Sequence, residues 1–117
     1  MRRRLSRPAL EAILVSIAGI EETVRGQTFD KYRSNWMMKH AVERGIEIIA
    51  EATRRLPPEL LAQRPEVPWK SVMGIGNVLR HDYDEIIDGI IYEAATRGLP
   101  ILKAAVTAID AALDEPR

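Results

Sequence analysis

Cysteine is absent from all 117 residues, which excludes disulfides, thiolate metal ligands and a cysteine nucleophile. Histidine occurs only twice, as His40 and His81. Two are too few for a histidine-built metal site unless carboxylates or a second subunit complete it. An excess of either charge is missing as well, because 17 basic and 17 acidic side chains cancel. That balance argues against a protein that coats polyanions, while leaving room for a local basic patch. No uncharged run is longer than the one from Ala12 to Ile20, far short of the roughly 20 apolar residues of a membrane span. The basic start, Met1 to Arg4, has no small-residue cleavage site behind it, and Glu11 interrupts the apolar run. No export signal is read, and the cytoplasm is the expected location. Strand signals are nearly lacking too: no alternating run of Val, Ile, Thr or aromatic residues is bounded by hairpin turns.

What remains is helical periodicity throughout a chain that is 46% hydrophobic and 29% charged. The length suits one domain over residues 1–117, burying roughly 65% of the surface an unfolded chain exposes. Ser6 and Pro8 offer a cap and an early proline. Leu10, Ile13, Leu14, Ile17, Ile20 and Val24 follow at three- and four-residue steps, and Gly26 ends the helix. A second helix is expected from Thr28 or Asp30 to Leu56, with Trp36, Met37, His40, Ala41, Arg44, Ile48, Ala52 and Leu56 stacked along it. Pro57 and Pro58 stop it. A connection to Pro68 follows, with one helical turn over 59–63. Pro68 and Trp69 open a third helix running towards His81. Asp82, Tyr83 and Asp84 break the pattern, Asp84 serving as a cap. Ile86, Ile87, Ile90 and Ile91 mark a fourth helix, Gly98 and Pro100 punctuate, and Leu102, Ala105, Val106, Ile109 and Leu113 mark a fifth. The expectation is an all-α bundle of four or five helices in a single domain.

The densest polar cluster in an apolar stretch runs from Gly74 to Tyr83. Projected on a helix with Gly76 at zero, Asn77, Arg80 and His81 fall at about 100°, 40° and 140°, with Val72, Ile75 and Leu79 opposite. An amide, a guanidinium and an imidazole on one face form a group suited to phosphate. Arginine stabilises phosphoryl charge, and histidine moves a proton near neutral pH. The competing reading is purely structural: His81 at a helix C-terminus, Arg80 paired with a carboxylate, Asn77 filling a helix crossing. Gly74 and Gly76 are too weak for a dinucleotide fingerprint, since no strand precedes them, and close helix packing is the expected reason for both.

Taken in order, several segments resemble the HepT-like branch of the HEPN superfamily over nearly the whole chain. They are the first amphipathic helix through Glu22, Phe29, the stretch from Ala41 to Ala52, Val67-Pro68-Trp69, Gly74, Asn77, Leu79, His81-Asp82-Tyr83, and Leu99 to Leu102. The resemblance implies a small all-α toxin, partnered by a minimal nucleotidyltransferase antitoxin. It implies a homodimer that cleaves RNA without metal or cofactor. The family motif is an arginine, a polar residue, three variable positions, a histidine and then a tyrosine two residues on. Asn77, His81 and Tyr83 match it. The motif arginine does not, because Gly76 stands in its place. Arg80, one turn further along, could supply the charge from nearly the same face, although a turn is a displacement of about 5.4 Å. By the same resemblance Tyr83 is the acceptor of AMP groups that silence the toxin. The alternative is a catalytically impaired domain that binds a partner or a nucleotide.

The other conspicuous residues take plainer readings. His40 is expected as a satisfied or partly exposed histidine, and Trp36 and Trp69 as packing anchors. Glu43, Glu47 and Glu51 form an acidic stripe, solvated or facing a basic partner. The arginines at 2, 3, 4 and 7 make a basic cluster at the N-terminus, read as a solvated end or an RNA contact. Residues 82–117 carry eight acids against three bases, so the neutral total conceals an uneven distribution.

Overall fold

The structure, a computed structural model, describes the backbone of residues 2–81 and 85–114 and the side chains of residues 6–79 and 87–113. Among the described residues it is all-α. The helices are α1 (Arg2–Val24), α2 (Phe29–Ser34), α3 (Trp36–Arg54), the short α4 (Pro58–Leu61), α5 (Trp69–His81), α6 (Glu85–Glu93) and α7 (Leu99–Asp114). A π-helical turn, Ala94–Gly98, joins the last two. No helix among these residues is long and apolar enough to cross a membrane.

The apolar stripe of α1 is the spine of the core. Leu10, Ile13, Ile17, Ile20 and Val24 are all buried, as their spacing predicts. They meet Val42, Ile46 and Ile49 of α3 and Leu102, Val106 and Ile109 of α7. Each such side chain contributes about 1.5–3 kcal/mol by leaving water. Close approach of α1 and α3 depends on Gly45, where an added Cβ would come within 2.8 Å of the Ile20 side chain. Gly26, with φ of 71°, ends the first helical segment by turning left-handed.

Four sequence expectations are corrected by these contacts. Ser6 is not a cap, because α1 already begins at Arg2 with Pro8 inside it. Burial of Ser6, Ala9 and Leu10, and the 3.0 Å pair of Arg7 with Asp110 on α7, hold that first stretch helical. The long second helix is two helices. Asn35 sits extended at φ −105°, ψ 103°, and its side chain accepts from the Met38 amide at 2.9 Å, starting α3 afresh. The break lets Tyr32 bury completely, with its ring 5.4 Å from that of Tyr92. Of the residues expected along the second helix, only Ala52 and Leu56 are buried, and the core face is instead Val42, Ile46, Ile49 and Thr53. Gly98 and Pro100 do not interrupt the chain either. Pro100 has no N–H and its ring would press on the carbonyl four residues back. The π turn widens the backbone there, with the Leu99 amide donating to the Ala94 carbonyl, and the helix continues.

The expected turn after Pro57 is present as α4, and the isoleucine-rich helix is present as α6, with Ile87 and Ile91 buried and Ile90 exposed. The predicted break and cap at Asp82 to Asp84 lie outside the described residues. α6 is tied to α3 by Lys39 and Asp88 at 3.0 Å, both largely buried.

Candidate active site

Helix α5 begins where Pro68 fixes the chain and Trp69 locks it. The Trp69 indole N–H donates to the carbonyls of Leu61 and Arg64, each at 2.9 Å, so this tryptophan is the anchor expected from the sequence. From there α5 runs antiparallel to α3. Arg54, in the last turn of α3, donates to the Met73 carbonyl early in α5. Ile46 and Ile49 of α3 line one apolar groove with Val72 and Ile75 of α5.

The projected division of α5 holds where side chains are described. Leu79 is buried, Val72 and Ile75 pack against the core, and Asn77 is exposed. Arg80 and His81 occupy the last turn of α5, but their side chains lie outside the described residues, as does all of Tyr83. Gly76 is buried against α3, yet a Cβ added to it would meet nothing within 4 Å. Close helix packing therefore does not require this glycine, in contrast to Gly45.

The space over Gly76 is a polar groove of about 170 Å³. It is lined from the α3 side by Arg44, Glu47, Glu51, Arg54 and Arg55. Arg44 lies 4.0 Å from Glu47 and Arg54 lies 3.8 Å from Glu51, loose pairs at the surface. No acidic partner meets Arg55 among the described residues. Nothing in the sequence singles these arginines out. Arg54 and Arg55 look like ordinary basic residues at a helix C-terminus, complementing its dipole. Only the packing of α3 on α5 turns them towards position 76.

Three further residues depart from, or refine, their expected roles. Trp36 is not a packing anchor: it is 71% exposed and stacks on His40 with ring centroids 4.1 Å apart. The His40 Nδ1 lies 2.7 Å from the Trp36 carbonyl, so this histidine is satisfied locally. Within the acidic stripe, Glu43 is half-buried, and burial pushes its carboxyl upward against the pull of His40 and Lys39. The Tyr32 phenol is likewise pushed up, chiefly by burial and then by Glu43 and Asp88.

An arginine-lined groove floored by Gly76 thus lies beside a helix that bears Asn77 and ends at His81. The comparisons with known proteins give its family. The Ribonuclease HepT-like family model matches residues 13–109. A protein of Caldanaerobacter subterraneus subsp. tengcongensis named as an RNase is 34% identical over 103 residues, covering 88% of this chain and 92% of its own length. Another, from Methanocaldococcus jannaschii and also named as an RNase, is 30% identical over 106 residues, covering 91% and 97%. A relative in Thermococcus cleftensis carries the name ribonuclease HepT and is 29% identical over 101 residues, covering 86% and 92%. No solved structure matches the chain. The chain belongs to the HepT-like ribonuclease family.

Proposed function

We propose that this protein is the RNA-cleaving toxin of a pair whose antitoxin is a minimal nucleotidyltransferase, acting as a metal-independent homodimer. The observation that carries the reading is the retention of Asn77, His81 and Tyr83 at the motif spacing in a chain of this family. His81 removes the proton from a ribose 2′-hydroxyl. The 2′ oxygen attacks the adjacent phosphorus, the 5′ oxygen leaves, and a 2′,3′-cyclic phosphate and a 5′-hydroxyl result. One imidazole cannot readily serve both proton transfers, so His81 of a second copy protonates the leaving oxygen, which is the mechanistic reason for a dimer. Asn77 positions the phosphate or the imidazole, and Arg80 offsets charge on the phosphorane in place of the arginine missing at position 76. Silencing follows when the Tyr83 phenol oxygen attacks the α-phosphorus of ATP and releases pyrophosphate. The attached AMP then repels RNA from the cleft.

Cleavage of RNA by the purified protein tests this directly. His81→Ala is expected to abolish cleavage, and Arg80→Ala to lower it by roughly 100-fold or more. Arg80→Ala cleaving as well as the parent protein rules out Arg80 as the source of charge. Incubation with ATP and a minimal nucleotidyltransferase partner is expected to add AMP masses that vanish in Tyr83→Phe. Unchanged labelling of that variant moves the acceptor elsewhere.

Gly76 favours a second reading, a domain that has lost cleavage and binds a partner or nucleotide. An inert parent protein that gains cleavage through Gly76→Arg decides for it.

A further inference from the structure

We infer that the groove over Gly76 is a phosphate-binding site for an RNA strand, with Arg44 of α3 and Arg55 just past its end supplying charge that position 76 does not carry. The inference rests on the RNA reading of the preceding section and extends it to residues outside the motif. Three observations converge. First, Gly76 leaves the floor of the groove bare, with about 170 Å³ above it. That is room for a phosphate oxygen to approach the backbone of α5, which a longer side chain would fill. Second, three guanidinium groups and only two carboxylates line the space, so its net charge is positive although the whole chain is neutral. Third, the three arginines differ in what already holds them. Arg54 is committed to the Met73 carbonyl and joins the two helices. Arg44 is only loosely engaged, 4.0 Å from Glu47 and 70% exposed, and Arg55 has no acidic partner among the described residues. Arg44 and Arg55 are therefore the groups able to turn onto a phosphate without breaking a contact between the two helices. Arginine suits this task because its planar fork donates two parallel hydrogen bonds to phosphate oxygens.

The antiparallel register gives the site its place in the reaction. A phosphate over Gly76 lies a little more than one turn of α5 before His81, so the strand held there continues towards the proposed scissile bond. Arg44 and Arg55 are in this scheme positioning residues, and they act on the strand rather than on the reacting atoms.

Binding is read separately from cleavage by using a short, fluorescein-labelled 2′-O-methyl RNA, which lacks the attacking hydroxyl, with the full chain and fluorescence anisotropy. Arg44→Gln and Arg55→Gln are each expected to weaken binding roughly 5- to 10-fold at low salt, as loss of an exposed charge-assisted phosphate contact does. Each is also expected to lower the slope of log affinity against log salt by about 0.7. Arg55→Lys keeps the charge and most of the affinity. Glu47→Gln tightens binding, because it removes a carboxylate from the groove. Arg97→Gln, on the π turn and paired with Glu93, changes nothing. Unfolding midpoints of the arginine variants match the parent protein, which separates lost contacts from lost structure. Binding and salt slope unchanged in both Arg44→Gln and Arg55→Gln overturn the inference, as does an equal loss in Arg97→Gln. A protein that binds RNA through these arginines but never cuts it defeats the ribonuclease reading alone. One that cuts RNA while ignoring both substitutions defeats this inference alone.

Discussion

Replacing Gly76 by arginine is expected to stabilise the protein, and the size of the gain can be worked from the groove. Glycine inside a helix costs about 0.8–1 kcal/mol relative to the best helix formers, and arginine ranks near the top. The new Cβ meets nothing within 4 Å, so no overpacking opposes that gain. The guanidinium enters a space holding Glu47 and Glu51 but also Arg44, Arg54 and Arg55. Attraction and repulsion at such exposed distances are each worth about 0–1 kcal/mol and largely offset one another. The net expectation is a gain of about 0.5–1 kcal/mol, or roughly 2–5 °C in Tm for a domain of this size. Urea unfolding followed by circular dichroism measures it, with Gly76→Ala as the variant that carries propensity without charge. If both variants lose stability, position 76 is crowded and the groove does not exist in solution. If alanine gains while arginine loses, the groove is more positive than its carboxylates can balance. That result removes the expected gain while agreeing with a site that attracts phosphate.

Other substitutions probe the rest of the fold. Gly45→Ala drives a methyl group to 2.8 Å from buried Ile20, so overpacking of about 1–3 kcal/mol exceeds the propensity gain, and the urea midpoint falls. Trp36→Ala changes stability by about 0.5 kcal/mol or less, as surface substitutions do. Trp69→Ala, which loses two indole hydrogen bonds and a packed ring, costs about 3 kcal/mol or more. Glu43→Gln raises stability at neutral pH. Burial raises the folded-state pKa of Glu43, so the folded protein binds its proton more tightly than the unfolded chain does. Stability is therefore lost as pH rises from the ordinary value of 4.5 through the raised one, and Glu43→Gln escapes that loss. Unfolding curves recorded across pH should show the two proteins converging below 4.5, and a gap that widens on acidification would refute the sign.

Residues that act through local rules were legible in the sequence. The α1 stripe, the left-handed stop at Gly26, the prolines after Leu56 and the apolar side of α5 all follow from spacing or backbone geometry alone. The HepT-like identity was legible from short motifs in order, and with it Asn77 and His81 as site candidates. What could not be read is whatever depends on a neighbour. Asn35 breaks a periodic helix because Tyr32 has a buried slot to fill, and nothing local announces that slot. Trp36 looks like core by residue type, yet it is exposed and stacks on His40 instead. Pro100 reads as a stop because the usual remedy, a wider turn, leaves no mark in composition. The arginines over Gly76 lie 21 to 32 positions away in sequence, and only the packing of α3 on α5 brings them to it.

The π turn at Ala94–Gly98 lets the length of that segment give where regular helix could not. The helix before it packs on α2 and α3, and the helix after it packs on α1. One continuous rod thus serves two sets of neighbours. Deleting a single residue there would restore regular winding, and because the wide turn spreads about one extra residue over the same rotation, Leu102, Val106 and Ile109 would keep their faces. Pro100 would then sit in a regular helix with its ring against the carbonyl four residues back. Among descendants of this chain, a one-residue gap in the segment should come together with loss of that proline.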